Sequence, residues 1–373
     1  MTQQQDSSQP FPTITKTRQG LMPLFALALC LGAFGFYMAL AGEPGPDEAE
    51  SQDRPLEAFE PLEVAEDAVD QTVVGVELSH RAAEPRELHL SLSQTTRRDD
   101  ETGGERVLGS RVHIALDETV EPASPEDLEQ MDDERREGVL AVTRQYKDAH
   151  AEVLGVEEGR VGEGITSQVE DLVRGSITRS FVLQNGEPSG FQWREVPNPQ
   201  ARRTLYLVRD GHAFLTPRFF AGAVNSGDTW EYSQPIHVEE PDVSLSATGR
   251  FEVHNRFVGT MTHQDRRLGV IRQQFEMLTE GDATDADAEF GFRVEGAGRG
   301  LVLVEIDTGR AFAADITLER TLSIERDGDS DSHSSEIVLG LRPAAGLSLP
   351  ELREQQDEDG HELEAAQDHA EAE

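Results

Sequence analysis

From residue 71 onward, long stretches of the chain place an apolar residue at every second position. Residues 72–78 alternate. So do residues 87–94, with Leu88, Leu90 and Leu92 on one face, and residues 111–120, with Val112, Ile114 and Leu116. A period of two is the signature of half-buried antiparallel strands. A polar loop at 95–105 joins the second strand to the third. The pattern then changes. Ser124 is placed as an N-cap, Pro125 as a first helical residue, and Glu126 and Asp127 suit the positive end of a helix dipole. Met131, Val139, Val142, Tyr146 and Val153 fall at helical spacing through about residue 154, and Gly155 is a suitable stop. Gly138 weakens the middle, so the pattern predicts one or two helices packed on the sheet.

Strand patterns resume after this region. Residues 175–184 and 190–196 predict a hairpin around Asn185-Gly186-Glu187-Pro188, followed by a short helix near 200–209. The turn Asn225-Ser226-Gly227-Asp228 feeds a strand beginning at Trp230. Further strands are predicted at 250–262, 268–278, 289–295, 300–307, 310–326 and 335–341. The expected fold is therefore β-rich α+β: a mainly antiparallel curved sheet or half-barrel with one or two covering helices, preceded by a single N-terminal apolar helix.

That apolar helix is residues 21–42, which carry no charge. About 20 helical residues cover a hydrocarbon core of about 30 Å. Lys16 and Arg18 precede it, which keeps residues 1–20 in the cytoplasm and sends the rest outside. Three readings stay open: a retained signal anchor, favoured by the length of the run; a signal peptide cleaved after Ala41, favoured by Ala39-Leu40-Ala41; and a lipoprotein signal using Cys30, for which Leu29 is a poor preceding residue. The protein is expected in the cell envelope, anchored through residues 21–42 with its domain outside, or secreted if cleaved. Residues 43–70 are acidic and punctuated by proline, which predicts a disordered stalk, although Leu56, Phe59, Leu62 and Val64 offer a short docking segment. The main domain is expected at 71–350. The acidic tail, 351–373, is expected to be disordered or weakly helical.

Charge narrows the partners. Lys+Arg total 33 against 72 Asp+Glu, a formal net charge of -39, and Lys16 and Lys147 are the only lysines. Nucleic acid and anionic lipid surfaces are repelled at long range. Salt screens self-repulsion among carboxylates within about 10 Å at ~0.1 M, so a saline medium and a salt-dependent stability are expected. Cys30 is the only cysteine, which excludes an intramolecular disulfide.

Catalytic chemistry finds no foothold. There is no HExxH, no CxxC and no GxSxG, and Gly296-Ala297-Gly298-Arg299-Gly300 is not a dinucleotide fingerprint, reading instead as a flexible turn before a strand. No cofactor is implied. His89 and His113 are opposite in parity to the apolar residues and are expected to face solvent. His254 and His263 flank a bend across which they are placed to meet. Asp327, Asp329 and Asp331 place carboxylates at alternate positions, as a calcium loop does. However, Ser332 stands where that loop requires glycine and Val338 where it requires glutamate. Solvated hairpin tips are the simpler reading of that stretch and of the acidic loop 282–289. The aromatic residues Trp193, Phe214, Phe219, Phe220, Trp230 and Tyr232 are the candidates to fill the domain or to line a ligand cavity. Trp230 is expected to be largely buried and to pin its loop to the sheet.

Thr216-Pro217, Ser226-Gly227-Asp228-Thr229-Trp230 and the stretch 298–309 (GRGLVLVEIDTG), in this order of elements, resemble a loosely defined set of uncharacterised exported bacterial β-domain proteins. The resemblance covers about residues 71–342. More remotely, the arrangement is similar to periplasmic lipoprotein carriers, whose curved sheet and covering helix enclose an apolar cavity. The resemblance implies no catalytic residues. The expected function is a non-enzymatic, envelope-tethered binding or structural protein. The alternatives are a carrier of lipid, lipoprotein or another apolar ligand, with an envelope protein or apolar molecule as partner, and, last, an exported hydrolase.

Overall fold

The structure, a computed structural model, describes residues 59–99, 105–129, 137–154, 170, 173–195, 217–240, 245–285, 288–326 and 329–345. Among the described residues thirteen strands follow in chain order: β1 (Val76–Glu77), β2 (Ala83–Asp99), β3 (Glu105–Pro122), β4 (Leu140–Leu154), β5 (Ile177–Val182), β6 (Pro188–Glu195), β7 (Ala223–Val224), β8 (Thr229–Glu240), β9 (Leu245–His263), β10 (Arg266–Asp285), β11 (Ala288–Glu305), β12 (Ala311–Arg326) and β13 (Asp329–Pro343). Eleven of them form one antiparallel sheet in the order β6-β5-β4-β3-β2-β13-β12-β11-β10-β9-β8. The chain enters along β2, steps outward to β6, crosses to the far edge at β8 and steps inward to β13, which pairs with β2. This is the connectivity of an up-and-down barrel. Among the described residues β6 and β8 do not pair, and that seam is left unzipped.

Strict alternation explains how this sheet chooses its faces. Along β10, Ile271, Gln273, Phe275, Met277 and Thr279 are buried, while Arg272, Gln274, Glu276 and Glu280 are exposed. The inward residues of β2, β3, β4, β9, β10, β11, β12 and β13 join in a single apolar cluster, to which Trp230 and Tyr232 of β8 add from the edge. The sheet therefore wraps around its own apolar face. The outward positions include Glu252, Arg272, Glu276, Glu295, Arg299 and Glu319 at mid-strand. An arginine facing acyl chains at the bilayer midplane costs about 2–4 kcal/mol, so this outer face suits water and not a membrane wall.

One end of the wrapped sheet is plugged by residues 71–82. β1 pairs with β7 there. Ser226 N–H donates to Val73 O at 2.9 Å, His80 N–H to Gln184 O at 2.8 Å and Arg81 N–H to Thr308 O at 2.9 Å. Gly309 in the β11–β12 turn has φ of 69°, and a Cβ there would stand 2.3 Å from Ser79 O, so only glycine fits beneath the plug. Upstream, the segment expected to be a stalk is docked from Phe59 on. It runs across the outer face: Phe59 packs on Gly340 and under Arg342, Leu62 N–H donates to Asp315, Leu62 and Val69 bury against Leu268, Val270 and Phe312, and Asp70 bridges to Thr260.

Three sequence expectations are corrected. Of the helix expected at 124–154, Pro125–Glu129 is one helical turn, residues 130–136 lie outside the described residues, and Leu140–Leu154 is strand β4. Ser124 does cap that turn: its hydroxyl donates to Asp127 Oδ2 at 2.6 Å, and Asp127 N–H returns to Ser124 Oγ at 3.3 Å. The helical spacing farther on has a different origin. A bulge in β4 leaves Lys147 without an opposite number, since Leu116 pairs with Tyr146 and Ala115 with Asp148. Val142 and Tyr146 face inward before the bulge and Ala149 after it, so a strand acquires intervals of four and three. No long covering helix is present among the described residues, where the other helical pieces are the 3-10 turn Glu66–Ala68 and the residues Glu170 and Val173, beside which Arg174 N–H donates to Glu170 O at 3.0 Å. Second, the strands expected at 289–295 and 300–307 are one, β11, and Gly296, Gly298 and Gly300 lie within it. Their missing side chains leave room on the inner face for Met277, Leu318 and Phe275. Third, β2, β9 and β10 run well beyond their expected ends. The hairpin around Asn185–Pro188 is present as β5 and β6. Residues 21–42, 200–209 and 351–373 lie outside the described residues, where no helix is long and apolar enough to cross a membrane.

Candidate ligand-binding interior

The interior differs between the two ends of the sheet. Toward the plug, Leu88, Leu116, Phe257, Ile271, Val302 and Val304 are fully buried. Toward the opposite rim, Leu92, Leu322, Ile324 and Ile337 face inward on the same cluster yet are only partly buried. Between them lie inward polar residues. Trp230 sits opposite Asn255, whose side-chain carbonyl accepts from Gln273 Nε2 at 2.9 Å. Nearer the rim, Arg320 stands in register with Gly296 on one side and Ser335 on the other.

The plugged end is held by charge. Glu118 accepts from Arg86 at 2.6 Å and from Arg144 at 3.0 Å, with all three side chains largely buried. Glu305 pairs with Arg266 and with Arg310, and Thr308 Oγ1 donates to it at 2.7 Å. Burial alone would raise the Glu305 pKa. The Thr308 hydrogen bond and the nearby Arg86, Arg310 and Arg266 outweigh it and hold the carboxyl below its ordinary value. Arg310 also donates to Glu84 O at 2.7 Å, tying the chain entering β2 to the β11–β12 turn. His80 is buried in the plug with Nε2 3.2 Å from Pro217 O and its ring 4.7 Å from that of Phe219. Burial pushes its pKa down to about 4. Sequence patterns did not single out these residues, because the network joins positions more than 200 residues apart, as Arg310 and Glu84 are.

The aromatic candidates are divided. Trp230 is partly buried, and its indole N–H donates to Arg218 O at 2.6 Å. Tyr232 shares its face, lies under the Arg218 guanidinium at 4.6 Å, and has its pKa pushed up to about 12 by burial. Phe219 is buried, whereas Phe220 is 52% exposed, contrary to its expected place in the core or cavity lining. Consecutive residues of extended chain point to opposite sides. Trp193 lies in β6 opposite Thr178, and Phe214 is outside the described residues. Gly227, with φ of 93°, and the Asn225–Asp228 hydrogen bonds make the expected turn into β8.

The metal candidates do not converge. Asp329 and Asp331 belong to β13, paired with Arg326 and Ile324, so the stretch is a strand and not a wrapped loop; Asp327 lies outside the described residues. His254 and His263 are both in β9 and do not meet: His254 is 3.2 Å from Glu231, and His263 packs on Phe312. His89 is exposed, but His113 is half-covered by Phe59, and burial lowers its pKa to about 4. No group of three or more metal-binding side chains is present among the described residues.

A trough of about 710 Å³ crosses the outer face. Its lining includes Glu252, Glu276, Glu295, Glu319 and Glu336, one from each of β9 to β13, together with Arg97, Arg250 and Arg320, of which Arg250 pairs with Glu252 at 3.1 Å. Glu252 stands directly opposite Glu276, and Glu319 opposite Glu336.

No family model matches the chain, and no curated protein matches it. A solved structure described as "Asymmetric conductivity of engineered proteins" is similar at 8% sequence identity and a TM-score of 0.21, over 69% of this chain and 100% of that one. A likeness at that level carries no argument.

Proposed function

We propose that this chain is a non-enzymatic, envelope-tethered binding protein that takes an apolar ligand into the rim end of a half-barrel. The supporting observation is the contrast between the two ends of one apolar interior. Side chains fill the plugged end. At the rim, Leu92, Leu322, Ile324 and Ile337 turn inward yet keep contact with solvent. Apolar surface of this kind is stabilised by covering it, at about 25 cal/mol per Å², and an apolar ligand covers it without closing the seam between β6 and β8. The charged outer face keeps the loaded domain in water, and residues 21–42 supply the tether.

Native mass spectrometry of the full chain purified from a membrane fraction tests this reading. Adducts of lipid mass that organic extraction removes are expected. Protein that carries no adduct and takes up no apolar fluorescent probe overturns it. A reporter fused after residue 69 is expected to be active only outside the cytoplasm.

A second reading has its own observation. The outer trough carries five glutamates against three arginines, an acidic excess that suits a cationic peptide. Its mark is binding of a polyarginine peptide that weakens steeply with salt and is lost on replacing Glu276 and Glu319 by Gln.

A further inference from the structure

Among the described residues, the interior near the rim holds a buried arginine, Arg320. Arg320 is 8% exposed. It lies on β12 two residues beyond Leu318 and shares that residue's inward face. Its Nε donates to Ser335 Oγ at 2.7 Å. Its Nη1 is buried and has no partner among the described residues. Burial brings its pKa down to about 10, so the guanidinium stays charged at neutral pH, and among the described residues no carboxylate is near enough to hold it up.

The chain does not lack carboxylates. Asp+Glu number 72, and the buried Arg86 and Arg144 share Glu118. Beside Arg320, Glu319 and Glu336 point to the other face, where they line the trough. On the β11 side the inward neighbours are apolar: Gly296 has no side chain, so Met277 approaches from β10, with Phe251 beyond it in register, while on the β13 side Ser335 and His333 share the face. A buried guanidinium without a counter-charge is costly. An arriving anion repays that cost. Ser335 Oγ accepts from Nε, so its own proton is free to be donated. Nη1–H and the Ser335 hydroxyl are thus two adjacent donors on an apolar wall, and a planar carboxylate has two oxygens to receive them.

We propose that Arg320 and Ser335 form the head-group site for a long-chain monocarboxylate, with its hydrocarbon lying along Phe251, Met277, Leu318 and Leu322. The assignment rests on the apolar-ligand reading above and adds the charge and shape of the ligand's head. A small inorganic anion answers the charge of Arg320 but leaves Leu322, Ile324 and Ile337 wet.

The test uses the full chain, delipidated, at fixed ionic strength, with decanoate, decan-1-ol and acetate as probes in titration calorimetry. Decanoate is expected to bind at least about 10-fold more tightly than the alcohol, and acetate weakly. Arg320→Gln should abolish that preference while leaving the alcohol's affinity within about 2-fold; Ser335→Ala should weaken decanoate by about 3- to 5-fold. The ligand-free Arg320→Gln protein should melt at or above the parent's midpoint, because an unpaired buried charge has been removed. Equal affinity for acid and alcohol, unchanged by Arg320→Gln, overturns the head-group assignment and leaves the apolar-ligand reading standing. Acetate binding as tightly as decanoate also overturns it. Failure of both decanoate and decanol to bind defeats the wider reading with it. A marked fall in the midpoint of Arg320→Gln contradicts the premise that the charge is unpaired.

Discussion

His80 makes the plug sensitive to mild acid. Its ring is enclosed by Phe219, the β5–β6 turn and the chain at Pro217, and its Nε2–H donates to Pro217 O. Burial, partly offset by that hydrogen bond and by Glu118, lowers its pKa from 6.5 to about 4. The unfolded chain therefore binds a proton between those values while the folded chain does not. Stability from this group is full above pH 6.5 and falls as pH drops toward 4. Integrating the difference gives about 2 kcal/mol lost by pH 5 and about 3 kcal/mol at the limit. His113 shifts in the same direction, while protonating surface carboxylates relieves self-repulsion in the opposite one. The measurement that isolates His80 is a comparison with His80→Gln, whose amide keeps a donor for Pro217 O and does not titrate. Urea unfolding, followed by tryptophan fluorescence at pH 7 and pH 5 at constant ionic strength, should show the parent losing about 2 kcal/mol more than the variant. Equal losses in the two proteins refute the reasoning, since His80 would then titrate alike in both states.

Three further outcomes are expected. Glu118→Ala strands Arg86 and Arg144 in the plugged end and should cost about 3–5 kcal/mol, read as a lower urea midpoint; a parent-like midpoint shows the network is not buried. Trp230→Ala removes a partly buried indole and its hydrogen bond to Arg218 O, and should cost about 3 kcal/mol with little change in denaturant slope. Glu276→Gln relieves a like-charge pair with Glu252 and should raise the thermal midpoint at low salt and by less at molar sodium chloride, while the parent's own midpoint climbs with salt; a flat parent midpoint contradicts the role given to its charge.

Local periodicity was enough to declare a β-rich domain, because alternation is a property of a strand and needs no partner to be read. Leu88, Leu90 and Leu92 announced β2, and the Asn225–Asp228 turn announced β8, from neighbouring residues alone. Where the sequence misled, the deciding contact was distant. The bulge at Lys147 exists only against β3, so the strand imitates a helix when β3 is ignored. Gly296, Gly298 and Gly300 read as a turn until Phe275, Met277 and Leu318 fill the space that their missing side chains leave. The candidate site was the least legible part. The aromatics near Trp230 stood out by type, but Arg320 is one arginine among many until tertiary structure buries it beside Ser335 and turns Glu319 and Glu336 away. Parity along a strand assigns faces, and only the pairing of eleven strands decides which face is enclosed and which charge is left inside it.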